Sequence, residues 1–201
     1  MAFDVLKLPR SVVLVGLMGA GKSCIGRRLA GRLGLPFVDA DSEIEAAAGC
    51  SISDIFARFG EPAFRDGERR VVCRLLEGPL CVLATGGGAF MDAETRRLIK
   101  EKSISVWLRA DLDLLTKRTA GRDHRPLLKT GNPRDILQGL MEKRYGTYAL
   151  ADLTVDSADR PPDVTVSKVL EVLVDHIDAC FPSFESGNES LSEHICGTDR
   201  S

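Results

Sequence analysis

Residues 16–23, which read GLMGAGKS, combine the residue types that bind phosphate. Their spacing matches G-x-x-x-x-G-K-[ST], in which the glycines let the chain wrap a phosphate and direct successive N–H groups at it. The lysine of this pattern reaches the β- and γ-phosphates, and the hydroxyl that follows can ligate Mg²⁺. The pattern predicts a nucleotide site built on Lys22 and Ser23, and the alternative is a glycine-rich turn that binds no ligand.

The flanking residues favour the nucleotide site over the empty turn. Residues 11–15 are mostly β-branched, as expected of a buried parallel strand. Residues 24–33 place Ile25, Leu29 and Leu33 on one face of a helix. A strand, a glycine-rich loop and a helix in this order put the positive N-terminal end of the helix against the phosphate.

Two carboxylates, Asp39 and Asp41, follow a short expected strand at residues 37–38. Residues i and i+2 of a strand share a face, so both carboxylates are expected to point into the nucleotide site. One could orient metal-bound water while the other accepts a proton from an attacking hydroxyl. The alternatives are a solvated loop, or a role for Asp41 as the cap of the following helix.

Three consecutive glycines, residues 86–88, follow another expected buried strand at residues 81–85. Such a run permits close approach of another molecule to the backbone, whose N–H groups can bind an anion or hydroxyls. A flexible turn is the alternative.

Arginines recur near these stretches, and their planar guanidinium groups suit carboxylate and phosphate. Arg125 carries the strongest signal, because it lies beside Pro126 in the Gly- and Pro-rich residues 121–133. We expect this segment to be a mobile lid that brings Arg125 over the γ-phosphate. The other candidates are Arg65, Arg118, Arg122 and Arg144.

The order of the elements predicts an α/β fold with a parallel sheet covered on both faces. Ligands of such sheets bind beyond the carboxyl ends of the strands, where the stretches above should converge. Further helices are expected at residues 42–48, 50–59, 69–77, 92–100, 111–119, 135–145 and 163–177, and further strands at 103–108 and 151–155. Gly34 is expected to end the first helix, Ser51 or Ser53 to cap the helix at 50–59, and Asp92 to cap the helix at 92–100.

Length and composition indicate one domain, residues 1–178, with a disordered Ser-, Glu- and Gly-rich tail at residues 179–201. The net charge of -2 predicts no general attraction to nucleic acid or to an anionic membrane. The N-terminus has no signal-peptide pattern and no apolar run reaches the length of a membrane span, so we expect a cytoplasmic protein.

Taken together, these motifs resemble the shikimate kinase family over residues 12–173. The shared stretches are GLMGAGKS, FVDAD at residues 37–41, FRDGE at 64–68, ATGGGAF at 84–90, HRPLL at 124–128 and RYGTY at 144–148. The resemblance implies a monomeric P-loop kinase with three α/β/α layers, a five-stranded parallel sheet and a mobile lid. It also implies the transfer of phosphate from ATP to the 3-hydroxyl of shikimate, with Mg²⁺ as cofactor.

The resemblance also implies roles for individual residues. Lys22, Asp41 and Arg125 would be catalytic, with Asp41 as the base. Ser23, and Asp39 through water, would hold Mg²⁺. The residues implied to bind ATP are Gly19, Ala20, Gly21, Lys22, Ser23, Cys24, Arg118, Arg125 and Arg160. Those implied to bind shikimate are Asp41, Arg65, Gly86, Gly87, Gly88 and Arg144, with the two arginines gripping its carboxylate.

Two nearby positions differ from the family pattern. Gly146 stands where many members have proline, and Leu150 where they often have glutamate, so we expect Arg144 to be held less rigidly. Two other functions stay open at this point: a P-loop kinase acting on gluconate or a nucleoside monophosphate, and a nucleotide-binding module without catalysis. The GGG and FRDGE stretches argue against the first, and Lys22, Ser23, Asp41 and Arg125 argue against the second.

Overall fold

The computed structural model describes residues 8–120 and 132–181. Within these ranges, five parallel strands form one sheet in the order β2-β3-β1-β4-β5. The phosphate-loop strand is therefore central, as the predicted α/β fold requires. The strands are β1 (Ser11–Val15), β2 (Phe37–Asp39), β3 (Val82–Ala84), β4 (Ser103–Arg109) and β5 (Leu153–Asp156).

Every residue of β1 is buried, as expected of a parallel sheet that helices cover on both faces. Helices α1 and α7 pack on each other, as do α3 and α4, and α5 and α6. The helices are α1 (Lys22–Leu33), α2 (Ala40–Ala48), α3 (Ile52–Glu77), α4 (Ala93–Lys102), α5 (Leu112–Thr119), α6 (Pro133–Tyr148) and α7 (Pro162–Cys180), with a short 3₁₀ turn at Ala89–Met91.

Helix ends follow the predicted capping residues. Gly34 ends α1 in the left-handed conformation. Of the two candidate serines before α3, Ser51 is the cap: its hydroxyl accepts from the N–H of Asp54 at 3.1 Å, and the Asp54 side chain bonds back to the Ser51 N–H. Asp92 caps α4 through the N–H of Thr95 at 2.8 Å.

Helix α3 differs from the prediction of separate helices at residues 50–59 and 69–77. The helical path breaks only at Gly60, whose φ of +78° lies outside the helical region, and resumes at once. Pro62 then falls in the first turn, where the missing N–H costs little, so residues 64–68 are helical. This part of the chain has its own small apolar cluster of Ile44, Ile55, Phe64 and Val71.

Two predicted boundaries were also wrong. Helix α6 begins at Pro133, capped by Asn132, so the expected lid cannot extend to residue 133. Helix α7 continues to Cys180, which places the first two residues of the expected tail in a helix. The rest of the lid and tail predictions concern residues 121–131 and 182–201, which lie outside the described residues. Among the described helices, none has the length and apolarity needed to cross a membrane.

Candidate active site

A cleft of about 900 Å³ opens where β1, β2 and β3 end. The predicted convergence of the chemistry-bearing stretches is therefore confirmed for the described residues. Cationic and carboxylate side chains both line the cleft. The cations are Lys22, Arg65, Arg118 and Arg144, and the carboxylates are Asp39, Asp41, Glu45 and Glu61.

The phosphate loop is closed by its own lysine. Lys22 Nζ donates to the carbonyl oxygens of Gly16 at 2.7 Å and Leu17 at 3.0 Å. Gly16 has a φ of +135°, and a Cβ there would lie 2.7 Å from the carbonyl oxygen of Leu108 on β4. Only glycine fits this position, because β4 passes directly behind the loop.

Ser23 and Asp39 form an oxygen pair at the start of α1. Ser23 Oγ donates to Asp39 Oδ2 at 2.8 Å, and both residues line the cleft. Hydroxyl and carboxylate oxygens are the ligands that Mg²⁺ prefers, and this pair lies beside the expected phosphates. The donor set therefore fits the Mg²⁺ expected from the sequence.

The expectation that Asp39 and Asp41 share one strand face was wrong. Strand β2 ends at Asp39, which caps α2 by accepting the N–H of Asp41 at 3.2 Å. Asp41 lies in the first turn of α2, so the residue that caps this helix is Asp39, not Asp41. Both carboxylates still reach the cleft, from a strand end and a helix start.

The three glycines after β3 let side chains from three helices approach one short stretch of backbone. A Cβ on Gly86 would lie 2.7 Å from Asp41 Oδ1, and one on Gly88 would lie 2.5 Å from an Arg65 nitrogen. The carbonyl of Gly87 accepts from Arg144 Nη1 at 3.0 Å and from the Tyr148 hydroxyl. The run is thus a contact surface, not a flexible turn.

Arg65 is paired with a buried carboxylate. Its Nη1 donates to Glu68 Oε2 at 2.6 Å, and the Glu68 side chain is 3% exposed. Burial raises the pKa of Glu68; the Arg65 charge opposes this rise, and the carboxylates of Asp41 and Asp92 add to it. Burial acts to lower the pKa of Arg65, but its hydrogen bonds to carboxylates prevail and raise it.

Arg144 shares the Gly87 carbonyl with Tyr148, which belongs to a buried aromatic cluster. Tyr148, one turn further along α6, is fully buried and stacks on Phe90 and Trp107. Burial raises the pKa of Tyr148 to about 12, although the Arg144 charge opposes the shift. Tyr148 is therefore a neutral hydrogen-bond donor at physiological pH. Helix α6 runs unbroken through Gly146, and the Gly87 carbonyl gives Arg144 a fixed partner.

Most of the remaining predicted nucleotide residues also reach the cleft. Gly19, Gly21 and Cys24 line it, as does Arg118, whose guanidinium donates to Ser157 Oγ at 2.9 Å and the Ala158 carbonyl at 2.8 Å.

The other predicted nucleotide residues do not line the cleft. Ala20 is buried, and its N–H donates to the Leu17 carbonyl at 3.2 Å. Arg160 is exposed and is not among the lining residues, although Pro162 is. Arg125 lies outside the described residues.

The sequence interpretation did not assign roles to Glu61, Glu68 or Tyr148. Each lies one helical turn from a predicted arginine: Glu61 four residues before Arg65, Glu68 three after it, and Tyr148 four after Arg144. Once Arg65 and its neighbours are known to be helical, this spacing identifies the partners. The prediction of separate helices at residues 50–59 and 69–77 concealed this spacing around Arg65.

In comparisons with known proteins, the matching family model and the two relatives described next are all shikimate kinases. Residues 18–174 match the family model described as shikimate kinase. The chain is 65% identical to a shikimate kinase of Paramagnetospirillum magneticum over 172 residues, which is 86% of this chain and 88% of that protein. It is 59% identical to a shikimate kinase of Caulobacter vibrioides over 164 residues, 82% of each chain.

Solved structures agree. A shikimate kinase from Acinetobacter baumannii in complex with shikimate superposes with a TM-score of 0.80 at 37% identity, covering 83% of this chain and 94% of that one. A gluconokinase from Sinorhizobium meliloti superposes with a TM-score of 0.60, covering 89% of this chain and 99% of that one. At 19% identity, this likeness shows a shared fold alone.

A parallel sheet whose central strand leads through a phosphate loop into a helix defines the P-loop class of nucleotide-binding proteins. Within that class, the chain belongs to the shikimate kinase family.

Proposed function

We propose that this chain transfers the γ-phosphate of ATP to the 3-hydroxyl of shikimate, giving shikimate 3-phosphate and ADP, a step toward chorismate and the aromatic amino acids. The observation that carries the proposal is the contact surface at residues 86–88. It brings a carboxylate, Asp41, and two guanidinium groups, Arg65 and Arg144, to three consecutive residues. A small acceptor with one carboxylate and several hydroxyls suits this set of groups.

The phosphate side of the cleft is assigned to the loop and to α1. The loop N–H groups and Lys22 Nζ hold the β- and γ-phosphates, so Lys22 exchanges its carbonyl partners Gly16 and Leu17 for phosphate oxygens. Arg118 lines the cleft from α5 and borders the nucleotide. Arg125 is assigned to the γ-phosphate on sequence grounds alone.

Ser23 and Asp39 would hold Mg²⁺ through the Ser23 hydroxyl and, by way of water, the Asp39 carboxylate. When bound, the ion neutralises charge that develops on the β- and γ-phosphates. The capping bond from the Asp41 N–H orients Asp39 for this role, because it fixes the other carboxylate oxygen.

In the transfer step, Asp41 accepts the proton of the acceptor hydroxyl. The hydroxyl oxygen bonds to the γ-phosphorus as the bond from that phosphorus to the β–γ bridging oxygen breaks. ADP leaves with the electron pair of that bond. Arg65 and Arg144 orient the acceptor through its carboxylate, and helices α3 and α6 hold these guanidinium groups close to the glycine run.

A coupled assay of ADP release with shikimate, gluconate and a nucleoside monophosphate tests the acceptor. Of these three acceptors, we expect only shikimate to support ADP release. Asp41→Asn should lower kcat about 10²- to 10⁴-fold, the usual range for loss of a general base, while ATP still binds. Glu43→Gln is the matched control: it lies on the same helix and pairs with Arg74 at 3.0 Å outside the cleft. Near-normal turnover of Asp41→Asn would refute the assigned base.

The proposal also includes a monomer that acts in the cytoplasm. Family resemblance supports these two points. Light scattering coupled to size-exclusion chromatography tests the first.

A further inference from the structure

Arg65 is held by two carboxylates of its own helix, on different parts of its guanidinium. Nη1 donates to Glu68 Oε2 at 2.6 Å. On the adjacent edge, Nη2 and Nε both donate to Glu61 Oε1, at 3.1 and 3.3 Å. Without an acceptor, the guanidinium that is assigned to the acceptor carboxylate already donates to two carboxylates, from all three of its nitrogens.

The two partners differ in burial and in position. The Glu68 side chain is 3% exposed, and that of Glu61 is 64% exposed. Glu61 lines the cleft together with Arg65, whereas Glu68 is not among the lining residues. Releasing Glu68 would leave a buried carboxylate without its cation, which is expensive. Releasing Glu61 costs little, because water solvates it at once.

The rest of the arginine's surroundings keep the guanidinium in place during such an exchange. Its Cζ lies 5.1 Å from the centre of the Phe64 ring, and the backbone of Gly88 is close enough that a Cβ would collide with it. Only the edge that faces Glu61 can change partner without moving the group.

We propose that Glu61 is a built-in competitor for the acceptor carboxylate: it occupies the Nε–Nη2 edge of Arg65 in the free enzyme and yields that edge when a carboxylate-bearing acceptor binds. This inference rests on the proposed function. Nε and Nη2 form an edge that binds a carboxylate through two parallel hydrogen bonds, whereas Glu61 offers it a single oxygen. A neutral acceptor has no group that displaces Glu61, so only an acceptor with a carboxylate bears the cost of the exchange.

The test compares Glu61→Gln with the wild-type enzyme in steady-state kinetics, using shikimate and its uncharged methyl ester. Removing the competitor should lower KM for shikimate about two- to fivefold, the value of an exposed ion pair. KM for the ester and for ATP should not change, and kcat with shikimate should stay within about twofold. Calorimetric titration with shikimate should show the same gain in affinity.

Asp66→Asn is the matched control. It removes one negative charge from the residue next to Arg65, but its carboxylate pairs with Arg69 at 3.0 Å. An equal fall in KM in this control would reduce the effect to general charge and overturn the inference. A raised or unchanged KM for shikimate in Glu61→Gln would overturn it too. If the wild-type enzyme released no ADP with shikimate, the proposed function itself would fail, so the two failures are distinguishable.

Discussion

Replacing Gly88 by alanine tests the placement of Arg65 without replacing any charged residue. The added Cβ would lie 2.5 and 2.6 Å from the two terminal nitrogens of Arg65, and ordinary contact begins near 3.4 Å. The guanidinium must therefore move by roughly 1 Å. The backbone of Gly88 (φ −101°, ψ −18°) is accessible to alanine, so the fold itself is not strained.

The displacement should raise KM for shikimate about ten- to hundredfold. A misplacement of ~1 Å can cost about a hundredfold, and a hydrogen bond to a charged group is worth about 1.5–3 kcal/mol. KM for ATP should stay within about twofold, because the loop around Lys22 is unaffected. The free energy of unfolding should change by less than about 1 kcal/mol.

The measurement is the coupled ADP assay with each substrate varied in turn, together with urea unfolding. Gly67→Ala is the control, because a Cβ there has no neighbour within 4 Å. It should leave both KM values unchanged and stabilise α3 slightly. An unchanged KM for shikimate in Gly88→Ala, or equal increases for both substrates, would refute the assignment of Arg65 to the acceptor.

Two further predictions concern buried groups behind the acceptor site. Tyr148→Phe removes the hydroxyl that donates to the Gly87 carbonyl. In steady-state kinetics KM for shikimate should rise a few-fold, and in urea titration the free energy of unfolding should fall by about 1 kcal/mol. Unchanged values would mean that Arg144 alone holds the glycine run. Glu68→Gln should flatten the dependence of stability on pH. Because the pKa of Glu68 is raised above its ordinary 4.5 in the folded state, its contribution is present below pH 4.5 and is lost as pH rises through the raised value. In urea titrations across that range, the free energy of unfolding should fall with rising pH in the wild-type enzyme by an amount that the variant does not lose.

Local patterns predicted the frame of this protein well. The phosphate loop, the central buried strand, and the caps at Gly34, Ser51 and Asp92 each depend on a few adjacent residues, so the sequence displays them directly. The glycine run was predicted to let another molecule approach the backbone closely; in the structure, side chains of the protein itself lie close to it.

Predictions failed where a conformation depends on more distant contacts. Pro62 and Gly60 together look like the start of a loop, yet the helix resumes because Phe64 and Val71 pack with Ile44 of α2. Asp39 and Asp41 were expected to share one strand face, because a three-residue strand leaves little pattern from which to locate its end.

The donors to the Gly87 carbonyl could not be predicted either. They come from residues 57 and 61 positions away, and no local pattern records which backbone oxygen a side chain will reach.

The aromatic cluster behind the glycine run also gives the protein an internal optical probe. Trp107 is the single tryptophan of the chain. Its ring lies 3.4 Å from where a Cβ on Gly16 would be, and it contacts Tyr145 edge-on at 5.0 Å. The carbonyl of Gly16 is one of the two to which Lys22 Nζ donates. Tryptophan fluorescence therefore originates from one site, which borders both the nucleotide loop and helix α6, and we expect it to report ligand binding there without a label.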